Sequence, residues 1–596
     1  MRYTFSYSNS HRHFIDIQFS ILSNGKSTLE LHLPSWRPGR YELGNFAKNI
    51  ADIKFLNEHD APLDFKKKSK DCWVIDTHGS SEIHARYSYY ANQPDAGSCF
   101  LDETQLYINP VHCCLFSEDE RNKPCLLSVV LPKNYEVATS LLISSPTVSL
   151  PDDLEKEIHS LYAGNYDELV DSPFIASSGL LHHSFEHEKT IFHLWFHGEC
   201  KPDLKKISSD FMKFISEQLA IFKSFPFSEN QNNRDYHFIF MIHPYAFHHG
   251  VEHLNSTVIA MGPSYEVFTN NYSEFLGISS HEFFHSWNIK TIRPVEMMPY
   301  DYMQENYSRL GYVAEGVTTY YGDLMLLRSG VYSVQDYFGC LEKQLNKHFH
   351  NEGRHHYSVA DSSFDTWLDG YVPGIPGRKV SIYTEGCLFA LMLDFAIRDK
   401  SGDKYSLDDV MKKLFDDFGK TKKGYSEFDY QLIAEGFAAC DLKEYFDRYC
   451  NGFEDFEPML EKIFDSIGCE IKIKPSEDFC EDKWGIKYIM TNNGAAKVTS
   501  VASESPAILA GIAEEDEILM VNDVRVNNNL ADLCHSLGES DIRLLVLKKN
   551  RFKHVGLIPG IKNFYRNYLI VKKENATEMQ ISKFKSWSFS KSIRAI

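Results

Sequence analysis

The chain has 596 residues, too many for one ordinary domain, so roughly three or four folded units are expected. Lys and Arg total 62 against 82 Asp and Glu, and the resulting formal charge of −20 repels nucleic acid and anionic membrane, so neither is expected as a partner. No run approaches the roughly 20 apolar residues that span a bilayer, MRYTFSYSNSHRHFIDIQFS does not read as a secretory signal, and 13 irregularly spaced cysteines suggest reduced thiols in a cytoplasm.

Residues 1–175 alternate apolar and polar positions in short runs such as FIDIQFSIL and STLELHLP, punctuated by Pro and Gly, and predict an antiparallel β domain. From about residue 200 the pattern changes. DLKKISSDFMKFISEQLAIFKSF has apolar residues at helical spacing, DYHFIFMI reads as a buried strand, and helices dominate to about 465. Residues 176–465 are therefore the expected catalytic unit, mixed α/β at first and then helical. Within 466–560, VTSVASESPAILAGIAEEDEILMVNDVRV predicts a small separate β domain. The remainder, 561–596, ends in the basic KFKSWSFSKSIRAI and is expected to be a loosely ordered tail. The fold class is a multidomain α+β protein.

One passage carries most of the chemistry. His281-Glu282-Phe283-Phe284-His285 reads H-E-x-x-H, and two histidines four apart on a helix have β-carbons about 5–6 Å apart, close enough to share one metal ion. The preceding FLGISS offers Ser279 and Ser280 as helix-start residues, and Phe283 and Phe284 supply apolar packing. A catalytic zinc has three protein ligands and an open position, so a third ligand must come from elsewhere. Glu315, in AEGVTTYY on the next helical segment, ranks first; Glu296 and Glu305 lie in an irregular connection and rank below it. One zinc ion there brings the pKa of a water toward about 7, and Glu282 serves as general base, passing the proton to the leaving amine. His348, His350, His355 and His356 lack the spacing of a helical pair and read as an incidental, solvated loop cluster.

Several separate passages resemble the glycyl aminopeptidases, zinc metallopeptidases of the gluzincin type that carry a PDZ domain. LPSWRPGRY (33–41) is similar to the family's N-terminal signature, and NYDELVDSP (165–173) to the segment leading into its catalytic domain. HEFFHSWNIKTIRP and AEGVTTYY resemble its metal-binding helices, and SSFDTWLDGY and SIYTEGCLFALMLDFAIR its later helical part. The resemblance implies a thermolysin-like catalytic domain and a PDZ-like domain whose groove could take an extended peptide. Gly250-Val251-Glu252-His253 resembles the family's G-L-E-H passage, which implies that Glu252 binds the substrate's protonated α-amine. Tyr383 resembles the tyrosine that donates to the oxyanion in aminopeptidase N relatives. Asn288 and Asp323 are expected behind the metal ligands. The implied activity is a zinc aminopeptidase acting on peptides with a free N-terminus, with a preference for Gly or Ala implied by the resemblance alone. The alternatives are a zinc endopeptidase or other hydrolase using the same site, and a PDZ-type peptide-binding protein with a vestigial metal site.

Overall fold

The computed structural model describes residues 1–150, 153, 155–227, 235–538 and 540–588. The protein is a multidomain α+β chain with a β-rich N-terminal part and a helical part after it. In FIDIQFSIL the alternation puts Ile15, Ile17, Phe19 and Ile21 inside, as a half-buried strand requires. That strand, Phe14–Leu22, lies in a seven-stranded sheet between Arg2–Ser6 and Glu82–Tyr90. The sheet is antiparallel except where Arg2–Ser6 runs parallel to Cys125–Pro132. Smaller sheets of three and four strands complete this part. Its core also takes in Tyr300, Tyr302, Ala314 and Ile382 from later in the chain, so the N-terminal part and the catalytic unit share buried surface.

The catalytic unit opens with a five-stranded mixed sheet. Its order is Leu181–His187, Thr190–His197, Tyr236–Ile242, Ser256–Gly262 and Phe247–Glu252, which leaves Phe247–Glu252 as an edge strand. YHFIFMI is buried along its whole length, as a continuous apolar run demands. Helix Leu204–Phe222, capped by Asp203, and helix Tyr272–Phe284 pack on this sheet, and further helices continue to Ser466. None of the helices among the described residues is long and apolar enough to cross a membrane.

Three expectations are corrected. Ser279 and Ser280 do not start the motif helix. It begins at Tyr272, and both serines are buried inside it, where Ser280 Oγ donates to Gly322 O (2.7 Å) and fixes the crossing with the next helix. His348 is not solvated, because it lies on helix Val334–Phe349 with Nδ1 2.8 Å from both carboxylate oxygens of Glu385, both side chains being buried. His350 meets Lys487 Nζ and Arg566 O, each at 2.8 Å, while His355 and His356 are exposed.

The last segment is also no loose tail across its described length. Asn567–Lys572 pairs antiparallel with Cys469–Lys474, and helix Glu578–Ser588 returns to the catalytic core. There Trp587 is fully buried, its Nε1 donating to Tyr320 Oη (2.9 Å) and its carbonyl accepting from Arg328 Nε (3.0 Å). Burial of one large aromatic outweighs the weak local periodicity of this basic stretch. Residues 589–596 lie outside the described residues. Between the paired strands sits a small unit with its own core, a sheet from Ile486–Met490 to Arg551–Leu557 covered by helix Leu530–Leu537.

Candidate active site

The motif helix is held by its apolar residues. Phe283 and Phe284 are fully buried, and Phe284 stacks on Tyr321 of helix Thr318–Arg328 (4.9 Å), which turns His281 and His285 toward that helix. Glu315 precedes the helix in a π-turn, Tyr312–Val317, a wound irregularity of the kind found at functional sites. The three ligand atoms of His281, His285 and Glu315 lie within 4.8 Å of one another. Glu315 Oε2 is 3.4 Å from His285 Nε2 and 3.9 Å from His281 Nε2. Glu296 is engaged by Ser308 Oγ (3.1 Å), and neither it nor Glu305 joins the group.

The donor set fits zinc. Two nitrogens bound tetrahedrally at about 2.0–2.1 Å would stand about 3.3 Å apart, and the two Nε2 atoms are 3.1 Å apart here. His285 Nδ1 donates to Asn288 O (2.9 Å), so Nε2 is the nitrogen directed at Glu315. Asn288 Nδ2 in turn donates to Val313 O (2.8 Å) and Thr318 Oγ1 (3.0 Å), tying the loop after the motif helix to the turn that carries Glu315. The three groups strongly bias one another's charge. Burial and His285 drive the His281 imidazole down to about 3, whereas for His285 the pull of Glu315, Glu252 and Glu282 overcomes burial and raises it to about 10. For Glu315, burial would raise the carboxyl, but the two imidazoles hold it below its ordinary value.

A second donor reaches Glu315 from the N-terminal part: Tyr41 Oη donates to Glu315 Oε1 at 2.9 Å, and both side chains are buried. Burial, then Glu315, keeps the Tyr41 phenol protonated well above 10. Sequence reasoning missed this contact, although Tyr41 closes the LPSWRPGRY passage. Trp36 packs against Tyr300 and Trp367, and the Tyr41 N–H donates to Tyr371 Oη (3.1 Å), so the loop is clamped from both sides. Also missed was a buried pair at the domain junction, where Lys290 Nζ meets Asp171 Oδ1 at 2.6 Å and His253 Nδ1 is 3.1 Å from the same oxygen. Only the fold brings these residues together.

Glu282 is buried beneath the edge strand. Gly250 lies so close that any side chain there would overlap the Glu282 carboxylate, and among the described residues Glu282 Oε2 has no hydrogen-bond partner. Burial pushes its carboxyl above the ordinary range; His285 opposes this and Glu252 adds to it. Glu252 ends the edge strand, 5 % exposed. Gly39, at φ +79°, sits against its carboxylate where no Cβ would fit, so a loop of the N-terminal part roofs this end of the site. Tyr383, in the first turn of helix Ile382–Ser401, is 38 % exposed and faces the same cleft of about 410 Å³. Although part of the ring is exposed, crowding round the phenol oxygen and then the Glu315 charge raise its pKa above the ordinary 10, so it stays a donor. Asp323 also lines the cleft, its carboxyl raised to about 6 by burial against the opposing pull of Cys340 and Lys343.

The arrangement can hold a cation, hold a proton acceptor beside it, and offer a donor and a second carboxylate to a bound molecule. Comparison with known proteins agrees with this chemistry. Residues 2–178 match the model of the Peptidase M61 N-terminal domain, and residues 274–389 match that of the M61 glycyl aminopeptidase. No curated protein matches the chain. Among solved structures, the chain is similar to an aminopeptidase N family protein from Idiomarina loihiensis, with TM-score 0.89 and 25 % identity over 98 % of this chain and 99 % of that one. An M1 zinc metallopeptidase from Deinococcus radiodurans gives TM-score 0.45 and 11 % identity over 73 % of this chain and 90 % of that one. The matched domains support a peptidase.

Proposed function

We propose that the chain is a zinc aminopeptidase that hydrolyses the first peptide bond of peptides bearing a free amino terminus. The observation that carries this is the position of Glu252, a buried carboxylate at the end of the edge strand in the cleft that also holds His281, His285, Glu315 and Glu282. A carboxylate there suits the substrate's α-ammonium by a charge-assisted hydrogen bond and is a costly neighbour for the neutral amide of an internal peptide bond. Of the preference for glycine or alanine proposed with it, the M61 glycyl aminopeptidase match supports the glycine part.

Held by His281, His285 and Glu315, zinc would polarise the scissile carbonyl and acidify a water molecule. Glu282 takes the proton of the attacking water and hands it to the leaving amine. Tyr383 donates to the oxygen on which charge develops. Asn288, through its carbonyl, holds the His285 tautomer. Residues 466–560 are read as a PDZ-like unit; the small antiparallel sheet with one covering helix supports that reading. Cytoplasmic location goes with it, supported by 13 unpaired cysteines.

The test compares a glycyl peptide with its N-acetylated form. Acetylation should abolish cleavage, and Glu252→Gln should lower kcat/KM for the free peptide by about a hundredfold, the worth of a buried charged hydrogen bond. Undiminished cleavage of the acetylated peptide would return the chain to the endopeptidase reading.

A further inference from the structure

Beyond Tyr383 the catalytic cleft opens into a second cavity of about 450 Å³. The two share Tyr383 and Thr319 as a common border. Their charge characters are opposite. The catalytic cleft is acidic, with Glu252, Glu282, Glu315 and Asp323 along its walls. The second cavity has one lysine, Lys347, projecting from the last turn of helix Val334–Phe349. Its one acid, Glu385, has both oxygens engaged by His348 Nδ1 at 2.8 Å. Lys347 makes no ion pair among the described residues, in a chain with a 20-charge excess of acid.

Lys347 is an exposed side chain that lines the same cavity as Tyr383. The wall between is rigid: Thr384 Oγ1 donates to Gln344 Oε1 (2.9 Å), bolting the first turn of helix Ile382–Ser401 to the helix that carries Lys347. Tyr383 and Thr319 thus stand at the border between the cleft that holds His281, His285 and Glu315 and the cavity that holds Lys347.

We infer that the second cavity receives the leaving portion of the substrate and that Lys347 binds the free α-carboxylate of a short peptide. The substrate class is thereby narrowed from any peptide with a free amine to short peptides with both termini free. This inference rests on the aminopeptidase reading above. Binding at both ends selects length: an extended residue spans about 3.3–3.6 Å, so only chains reaching from Glu252 to Lys347 without bulging can engage both charges.

The test measures kcat/KM for a series of glycyl di-, tri- and tetrapeptides, each as the free acid and as the C-terminal amide. The wild type, Lys347→Met and Lys343→Met are compared, Lys343 being a neighbouring exposed lysine 4.0 Å from Glu274. For at least one length the wild type should prefer the acid by about tenfold, one charge-assisted hydrogen bond. Lys347→Met should bring that ratio to near one, chiefly through KM, whereas Lys343→Met should retain it. An acid-to-amide ratio near one at every length, or one that survives Lys347→Met, overturns the inference while leaving the aminopeptidase reading intact. Failure to cleave any member of the series overturns both.

Discussion

Replacing Tyr41 by Phe asks whether the N-terminal part completes the metal site. The substitution removes a single hydroxyl and keeps the ring, which packs edge-on against Trp367 with centroids 6.0 Å apart, so the loop and its contacts should persist. The lost interaction is an O–H donated to Glu315 Oε1 at 2.9 Å between two side chains at most 5 % exposed. A buried hydrogen bond to a charged group is worth about 1.5–3 kcal/mol. The other carboxylate oxygen, Oε2, faces the two imidazoles at 3.4 and 3.9 Å, and with Oε1 released the carboxylate loses the contact that fixes its rotation. Zinc affinity should therefore fall about ten- to a hundredfold, the usual effect of removing a group that orients a ligand. Titration against a competing chelator measures this directly. Turnover at saturating zinc should recover much of the lost activity. A zinc affinity within twofold of wild type would show that Tyr41 only packs, and the coupling of the N-terminal part to the metal would be refuted.

Glu282→Gln should lower kcat by about a thousandfold while zinc content, measured by metal analysis, stays at one per chain; loss of zinc along with activity would move Glu282 from base to structural support. Tyr383→Phe should cost about a hundred- to a thousandfold in kcat with little change in KM, and an equal loss in both would point to substrate positioning instead. Asp171→Asn should destabilise the junction by about 3 kcal/mol at pH 7, since it leaves Lys290 buried without its partner. Burial would raise the Asp171 carboxyl, but Lys290 and His253 hold it well below its ordinary 3.8, so its stabilisation is present above that value and is lost as pH falls below it. The gap between wild type and variant in urea unfolding should accordingly be full at pH 7 and shrink below about pH 4; a gap independent of pH would deny the ion pair its role.

Much of the fold is legible because it depends on short-range pattern. Alternation in FIDIQFSIL gives a half-buried strand and continuous apolarity in YHFIFMI a fully buried one, since side-chain direction repeats every two residues along any strand. H-E-x-x-H places both histidines on one helical face for the same kind of reason. Local pattern is silent where stability comes from distant contacts. Ser279 and Ser280 resemble helix starters but are buried midway along a helix that begins seven residues before Ser279, because packing against Gly322 outweighs their capping preference. The described part of the C-terminal segment shows little periodicity, yet Trp587 anchors it in a core built from residues more than 200 positions earlier.

The sequence by itself determined the ligand types, their helical spacing and the acid at the strand end, because these follow from residue identity and backbone period. Tertiary structure alone decided that Tyr41 and Gly39 of the N-terminal part close over Glu315 and Glu252, that His348 is spent on Glu385, and that Lys347 lines the cavity bordering the cleft. Each of these joins residues dozens to hundreds of positions apart. Burial and electrostatic energy depend on distance in space, and no local pattern encodes that distance.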